Sequence, residues 1–252
     1  MTTIITSENK KIYFASDQHL GAPTPEASLP REKKFVAWLD AIKEDAGTVF
    51  LLGDLFDFWF EYKTVVPKGF VRVLGKLAEL KDAGIDIYFF VGNHDLWMRD
   101  YFQKELNIPV FHEPQEFDIN GKLFLIGHGD GLGPGDYGYK RMKKVFTFPF
   151  FKWLFRWLHP DIGVKLGHYF SVKNKLISGD EDAQFLGEQN EWLALYCRKK
   201  LTEKHYDFFI FGHRHLPLEI ELNSSSTYIN LGDWIQYFTY GEFMKTFKLK
   251  EF

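Results

Sequence analysis

Thr48-Val49-Phe50-Leu51-Leu52-Gly53-Asp54-Leu55-Phe56-Asp57-Phe58-Trp59 is the stretch on which the fold assignment turns. Residues 48–52 form a short apolar run, the length of a strand buried on both faces, and Gly53-Asp54 ends it with a turn residue and a carboxylate. Two further runs, Lys11–Ser16 and Asp86–Val91, have the same character and also end in polar residues. Between the three, Pro30–Glu44 and Lys68–Ala83 place apolar residues at three- and four-residue spacing, as surface helices do. Strand–helix alternation of this kind predicts an α/β fold with a parallel sheet. Glu116–Asn120 and Lys122–Ile126, joined through Asn120-Gly121, then predict a hairpin. In the last quarter Asp207–Phe211, Leu218–Leu222, Thr227–Leu231 and Phe243–Leu249 read as strands, and the terminal Phe243–Phe252 as an edge strand. Strands at both ends, with helices mostly between, predict two mixed sheets packed face to face and flanked by helices. Neither an internal repeat nor a low-complexity linker divides residues 1–252, so one domain is expected.

Five of these runs end in the same way. Asp17-Gln18-His19, Gly53-Asp54, Gly92-Asn93-His94-Asp95, Gly127-His128 and Gly212-His213-Arg214-His215 each follow a strand with residue types that bind metals. Open α/β sheets place ligand sites at the carboxyl ends of their strands, and a glycine before a ligand allows a sharp turn and close approach. Any one segment is ordinary, since a lone histidine at a strand end is usually structural and Asp54 alone could cap a helix. Five in succession are hard to assign to caps and core. Carboxylates, imidazoles and one amide, without a thiolate, suit Mn²⁺, Fe or Zn²⁺ better than a structural zinc site. They are too many for one ion. Two ions about 3.5–4 Å apart use them all, and such pairs clamp the attacking and leaving oxygens of a phosphoryl transfer.

Bulk properties restrict the setting. A single cysteine, Cys197, excludes an internal disulfide and fits a reducing compartment, and its neighbours suggest a buried helical thiol. The first residues lack a signal-peptide pattern. The greasiest stretch, Phe146–Leu158, is broken by Lys152 and Arg156 and falls short of the ~20 apolar residues of a membrane-spanning helix. A cytoplasmic protein, at most attached to a membrane face, is expected. Its net charge of −3 hides an uneven distribution. Residues 137–179 carry Lys140, Arg141, Lys143, Lys144, Lys152, Arg156, Lys165, Lys173 and Lys175 against the single acid Asp161, which leaves the remainder at −11. The same stretch holds Phe146, Phe148, Phe150, Phe151, Trp153, Phe155 and Trp157. Lying between sheet-forming portions, it reads as a helical insertion or cap.

The order D-x-H, G-D, G-N-H-D, G-H, G-H-x-H resembles the pattern of the calcineurin-like metallophosphoesterases and spans most of the chain. The resemblance implies a four-layer αββα sandwich. It further implies one metal held by Asp17, His19, Asp54 and His215, and a second by Asp54, Asn93, His128 and His213, with Asp54 shared. His94 would then stabilise charge on the phosphoryl group or protonate the leaving group, and Asp95 would orient it. Mn²⁺ is the expected ion, with Fe or Zn²⁺ the alternatives.

Gly53–Trp59 is also similar to the G-D-L-F-[DE]-x-W segment of UDP-2,3-diacylglucosamine pyrophosphohydrolases. His128-Gly129-Asp130, followed by Asp136 and Tyr139, is spaced like the H-G-D and D-x-x-Y of those enzymes, and the basic, aromatic insertion resembles their cap. This likeness implies cleavage of UDP-2,3-diacylglucosamine to UMP and 2,3-diacylglucosamine 1-phosphate, a step of lipid A biosynthesis. It makes Asp136, Tyr139, Ser171 and Asn174 candidate substrate contacts. A basic cap rich in Phe and Trp independently suits a ligand with phosphates and acyl chains, and suits an anionic membrane surface. One departure stands out: those enzymes often carry arginine where this chain has His94, and the two side chains bind phosphate differently. A general phosphoesterase acting on another nucleotide pyrophosphate, phosphodiester or phosphoprotein is therefore the alternative. The aromatic run has more Phe at helical spacing than a base-stacking platform needs, so no nucleic-acid partner is expected. A non-catalytic scaffold should have lost ligands, and all are present.

Overall fold

Residues 1–135, 137–178, 185 and 187–252 are described by the computed structural model, 172–178 by their backbone alone. Asp136 and the side chain of Asn174 lie outside the described residues. After the short strand β1 (Thr2–Ile4), the expected alternation follows: β2 (Lys11–Ala15), α1 (Pro25–Ile42), β3 (Ala46–Leu51), α2 (Val71–Asp82), β4 (Asp86–Phe90), α3 (Tyr101–Leu106) and β5 (Val110–Phe111). Strands β2 to β5 are parallel neighbours. Next come β6 (Gln115–Ile119) and β7 (Lys122–Ile126), the predicted hairpin. Asn120 and Gly121 take φ of 53° and 81° at its turn, the left-handed pair that Asn-Gly favours. Helices α4 (Tyr137–Thr147), α5 (Pro149–Arg156), α6 (Pro160–Ser178) and α7 (Trp192–Leu201) precede β8 (Phe208–Phe211), β9 (Pro217–Asn223), β10 (Ser226–Leu231), β11 (Thr239–Phe243) and β12 (Phe247–Glu251).

Two mixed six-stranded sheets result, in the orders β12-β11-β2-β3-β4-β5 and β1-β6-β7-β8-β10-β9. Alternation along each central strand sends its side chains to two different cores. In β2, Ile12 and Phe14 enter the core between the sheets, with Phe50, Phe90, Phe117, Phe124, Ile126 and Ile210. Tyr13 and Ala15 face the other way, onto Phe35, Trp38, Leu77 and Phe102 of the helices. Leu125, Phe209 and Phe211 of the second sheet cover Leu193, Ala194 and Cys197 of α7. The layers are helix, sheet, sheet, helix: the expected αββα sandwich. Strands buried on both faces are continuous apolar runs, and this is why they were legible.

Two boundaries differ most from expectation. The first helix begins at Pro25, not Pro30: Thr24 caps it by accepting the Ala27 amide at 3.2 Å, and Pro25 fills the first turn, leaving Pro30 inside. The predicted strand 243–249 is instead the turn of a hairpin, with Thr239 paired to Glu251 and Phe243 to Phe247. Its turn, Met244-Lys245-Thr246, contains no glycine, proline or asparagine to signal it. Strand β12 is indeed an edge of its sheet.

Helices α4 to α6 lie between β7 and α7. Phe155 of α5 turns inward, its ring 4.7 Å from Phe60 and 4.6 Å from Trp97. Phe150, Trp153 and Trp157 lie on the opposite face, 54%, 51% and 74% exposed, which is a large apolar surface to leave in water. Among the described residues no helix is long and apolar enough to cross a membrane.

Candidate metal centre

The five sequence segments meet at one end of the sandwich. Asp17 and His19 follow β2, Asp54 follows β3, Asn93 and His94 follow β4, His128 follows β7, and His213 and His215 follow β8. Nine non-glycine residues among those described have positive φ, and five of them are Asp17, His19, Asp54, His213 and His215. Such backbone costs of order 1 kcal/mol or more per residue and persists where the surrounding structure over-determines it, as it does at functional sites. Here it turns each side chain sharply off its strand end into the gap between the sheets.

Asp54 sits at the centre. Its Oδ2 lies 3.5 Å from Nε2 of His19 and 3.5 Å from Nε2 of His128. On one side, His19 Nε2 is 3.2 Å from His215 Nε2, and His215 Nε2 is 3.5 Å from Asp17 Oδ1. On the other, His128 Nε2 is 3.2 Å from Asn93 Oδ1, and the His128 and His213 rings are 5.1 Å apart. Ligand atoms of Asp17, His19 and His215, and of Asp54, His128 and His213, fall within 4.8 Å of one another in each group.

The opposite ends of the side chains are tied down. His128 Nδ1 is 2.7 Å from the Leu52 carbonyl, and His215 Nδ1 is 3.2 Å from Asp233 Oδ2. A Nδ1–H donated outward leaves the Nε2 lone pair pointing inward, as a metal ligand requires. Asp17 Oδ2 accepts Ser16 Oγ at 2.5 Å and the His213 amide at 2.9 Å, while Asp17 Oδ1 is fully buried with no hydrogen-bond partner. A buried carboxylate oxygen without a donor, facing imidazole lone pairs, is the arrangement a cation completes. Burial raises the Asp17 and Asp54 carboxyls, but the surrounding imidazoles outweigh it and hold both ionised, well below the usual range. Burial lowers His128, yet Asp54 and Asp17 push it up to about 10, a measure of how strongly this pocket favours positive charge. The donor set therefore fits divalent metal ions.

Asp95 Oδ1 accepts the Gly92 amide at 2.7 Å and Oδ2 the Leu55 amide at 3.0 Å. It braces the two ligand loops against each other, and burial together with the Asp54 charge pushes its carboxyl up to about 7. Asp57 contacts the His94 ring. His94 Nδ1 is 3.0 Å from the Asp57 carbonyl and 3.6 Å from its Oδ1, which is also 3.4 Å from His19 Nδ1.

Of the expected substrate contacts, Tyr139 lies beside the cluster, its ring 6.5 Å from His213, and its hydroxyl donates to Asp130 at 2.5 Å. Lys143 pairs with the same carboxylate at 2.7 Å, so α4 is tied to the loop after His128. Ser171 reaches the centre from α6, 2.8 Å from His94 Nδ1 and 2.7 Å from Asp57 Oδ2. Sequence reasoning singled out neither Asp57 nor Asp233 as a site residue. Asp57 follows the ligand-bearing β3 by a few residues, which is the available signal, whereas Asp233 follows β10, which bears no candidate ligand.

Imidazoles and carboxylates converging at the strand ends of an αββα sandwich define a metal-dependent hydrolase. The chain belongs to the calcineurin-like phosphoesterase family, whose sequence model matches residues 10–217. A Porphyromonas gingivalis protein named UDP-2,3-diacylglucosamine hydrolase is 39% identical, with 91% of this chain and 92% of that protein covered. One of the same name from Actinobacillus succinogenes is 27% identical, with 89% and 92% covered. Among solved structures, a dimetal phosphatase from Danio rerio aligns over 97% of this chain and 96% of its own, at 12% identity and a TM-score of 0.42.

Proposed function

We propose that this protein hydrolyses the pyrophosphate of UDP-2,3-diacylglucosamine, releasing UMP and 2,3-diacylglucosamine 1-phosphate. The observation that carries this reading is the meeting of the candidate metal centre with helices α4 and α6, whose Tyr139 and Ser171 lie beside His213 and His94; residues 137–179 are read as a basic cap within a single domain of residues 1–252. The names of the relatives point to the same substrate. Asp17, His19, Asp54 and His215 would hold one divalent ion, and Asp54, Asn93, His128 and His213 a second, with Mn²⁺ the favoured metal. Bound there, the ions would offset charge on the phosphoryl oxygens and lower the pKa of water. His94 keeps its Nδ1 toward Asp57 and so offers Nε2 to the reacting phosphate, as proton donor or as a positive partner. Asp54 sets the spacing of the two ligand groups by facing both. Tyr139, and by resemblance Asp136 and Asn174, would contact the polar part of the substrate, while Ser171 meets His94 and Asp57.

Purified protein with Mn²⁺ should release UMP from UDP-2,3-diacylglucosamine, lose that activity on chelation and regain it with the metal. Failure on this substrate together with rapid hydrolysis of another nucleotide pyrophosphate or a soluble phosphodiester would support the general phosphoesterase. His94 in place of arginine is the feature that favours that second reading.

The exposed rings of α5 would rest on the cytoplasmic face of an anionic inner membrane, where the nearby lysines and arginines add attraction of about 1 kcal/mol each. Replacing Phe150 and Trp153 together by serine should weaken co-sedimentation with phosphatidylglycerol-containing vesicles at least tenfold, since burying each ring contributes roughly 1.5–3 kcal/mol. Unchanged sedimentation would refute this role.

A further inference from the structure

Ser171 is placed where the cap meets the reacting centre, and its hydrogen bonds have a definite direction. A hydroxyl has one hydrogen to give. The Asp57 Oδ2 carboxylate, 2.7 Å away and buried, can only accept it. The Ser171 oxygen is then left to accept from His94 Nδ1, 2.8 Å away. Ser171 thus completes a chain in which His94 donates to Ser171 and Ser171 donates to Asp57, while the Asp57 carbonyl, 3.0 Å from the same Nδ1, supports the first link.

The helix that carries Ser171 is seated with little freedom. Gly163, Gly167 and Ser171 recur every four residues and share one face of α6. A Cβ at Gly163 would strike the Tyr62 hydroxyl, and one at Gly167 would strike the Phe58 ring. Phe58 and Tyr62 belong to the same loop as Asp57 and pack with Phe155 and Val164 of the cap. His168, one residue on from Gly167, brings its Nδ1 to 3.9 Å from Asp57 Oδ2. The loop that orients His94 is therefore clamped by α6 along three of its residues.

We infer that Ser171 is a positioning residue for the chemical step: the cap holds the His94 ring in its working orientation through Ser171 and Asp57, so that seating of the cap and competence of His94 are coupled. This rests on the phosphoesterase reading of the site but not on which ester is cleaved. It assigns Ser171 a function that does not require contact with the substrate.

The test compares Ser171→Ala and Ser171→Thr on two substrates with Mn²⁺: UDP-2,3-diacylglucosamine, and bis(p-nitrophenyl) phosphate, which has no sugar or acyl chain for the cap to grip. Ser171→Ala should lower kcat about 10- to 100-fold on both, the usual cost of removing a group that orients an active-site histidine, with KM changed less than about twofold. Ser171→Thr, which keeps the hydroxyl, should recover most of the loss. The ring ¹⁵N shifts of His94 should move in the alanine variant and not in the threonine one, and the thermal midpoints of all three proteins should agree. A loss confined to the lipid substrate and expressed in KM would make Ser171 a substrate contact and overturn the inference. Full activity of Ser171→Ala on the diester, or unmoved His94 shifts, would overturn it as well. Should the wild type leave UDP-2,3-diacylglucosamine intact, the proposed substrate falls, and the diester and the His94 shifts still decide the role of Ser171.

Discussion

Asp54→Asn should reduce metal-dependent hydrolysis by at least about 10³-fold and leave the fold intact. The magnitude follows from the several kcal/mol of transition-state charge stabilisation that bound metal ions supply, at about 1.4 kcal/mol per tenfold in rate. Preservation of the fold follows from the contacts Asp54 makes. Its Oδ1 accepts the His94 amide at 2.8 Å, which an asparagine oxygen can also do. Its φ is 52°, a region asparagine tolerates better than most residues. What the substitution removes is the negative charge 3.5 Å from both His19 and His128. A thermal melt separates the two effects. In the wild type, metal at a hundred times its Kd should add about 2.7 kcal/mol of stability, roughly 5–10 °C for a chain of this size. In Asp54→Asn that increment should largely vanish while the metal-free midpoint stays near the wild-type value. A variant that kept a tenth of the activity would show that Asp54 does not link the two ligand groups.

Gly92→Ala should be among the most damaging changes outside the ligands themselves. A Cβ at this position would land on the Asp54 carboxylate and 2.7 Å from the Asp54 backbone nitrogen. Neither is the loose end of a flexible chain: Asp54 is buried, and the Gly92 amide is itself held by Asp95 at 2.7 Å. Either the loop after β3 or the loop after β4 must move. A displacement of about 1 Å in an active-site group can cost 10²-fold in rate, and overpacking a core of this kind costs about 1–3 kcal/mol. Activity should therefore fall about a hundredfold and the thermal midpoint by several degrees. A Gly92→Ala protein with wild-type kcat would mean that the two loops are free to part.

The candidate site was legible because each of its parts is local. A strand buried on both faces shows as an apolar run, and the ligand types that follow it within a few residues show as a break in that run. Asn120-Gly121 announced its hairpin for the same reason: left-handed backbone at both positions is a property of the residues themselves. Asp57 and Asp233 were not legible as histidine partners, because nothing in the residues themselves says that one would back His94 and the other His215. Asp95, next to His94 in sequence, was the natural choice for its partner. The Asp95 carboxylate accepts the amides of Gly92 and Leu55. The β11–β12 hairpin escaped notice because its turn carries no residue with a turn preference, and only the pairing of Thr239 with Glu251 reveals it.

From sequence alone, then, came the αββα class, the candidate metal-binding residues and the basic, aromatic character of the insertion. Each of these depends on residue type and short-range spacing. The tertiary structure added that Asp57 and Ser171, the latter carried by α6, meet at the His94 ring, and that Asp233 backs His215. Those facts depend on contacts between segments more than a hundred residues apart in some cases, as with Ser171 and Asp57. Such contacts are set by the packing of whole layers, and no local pattern encodes them.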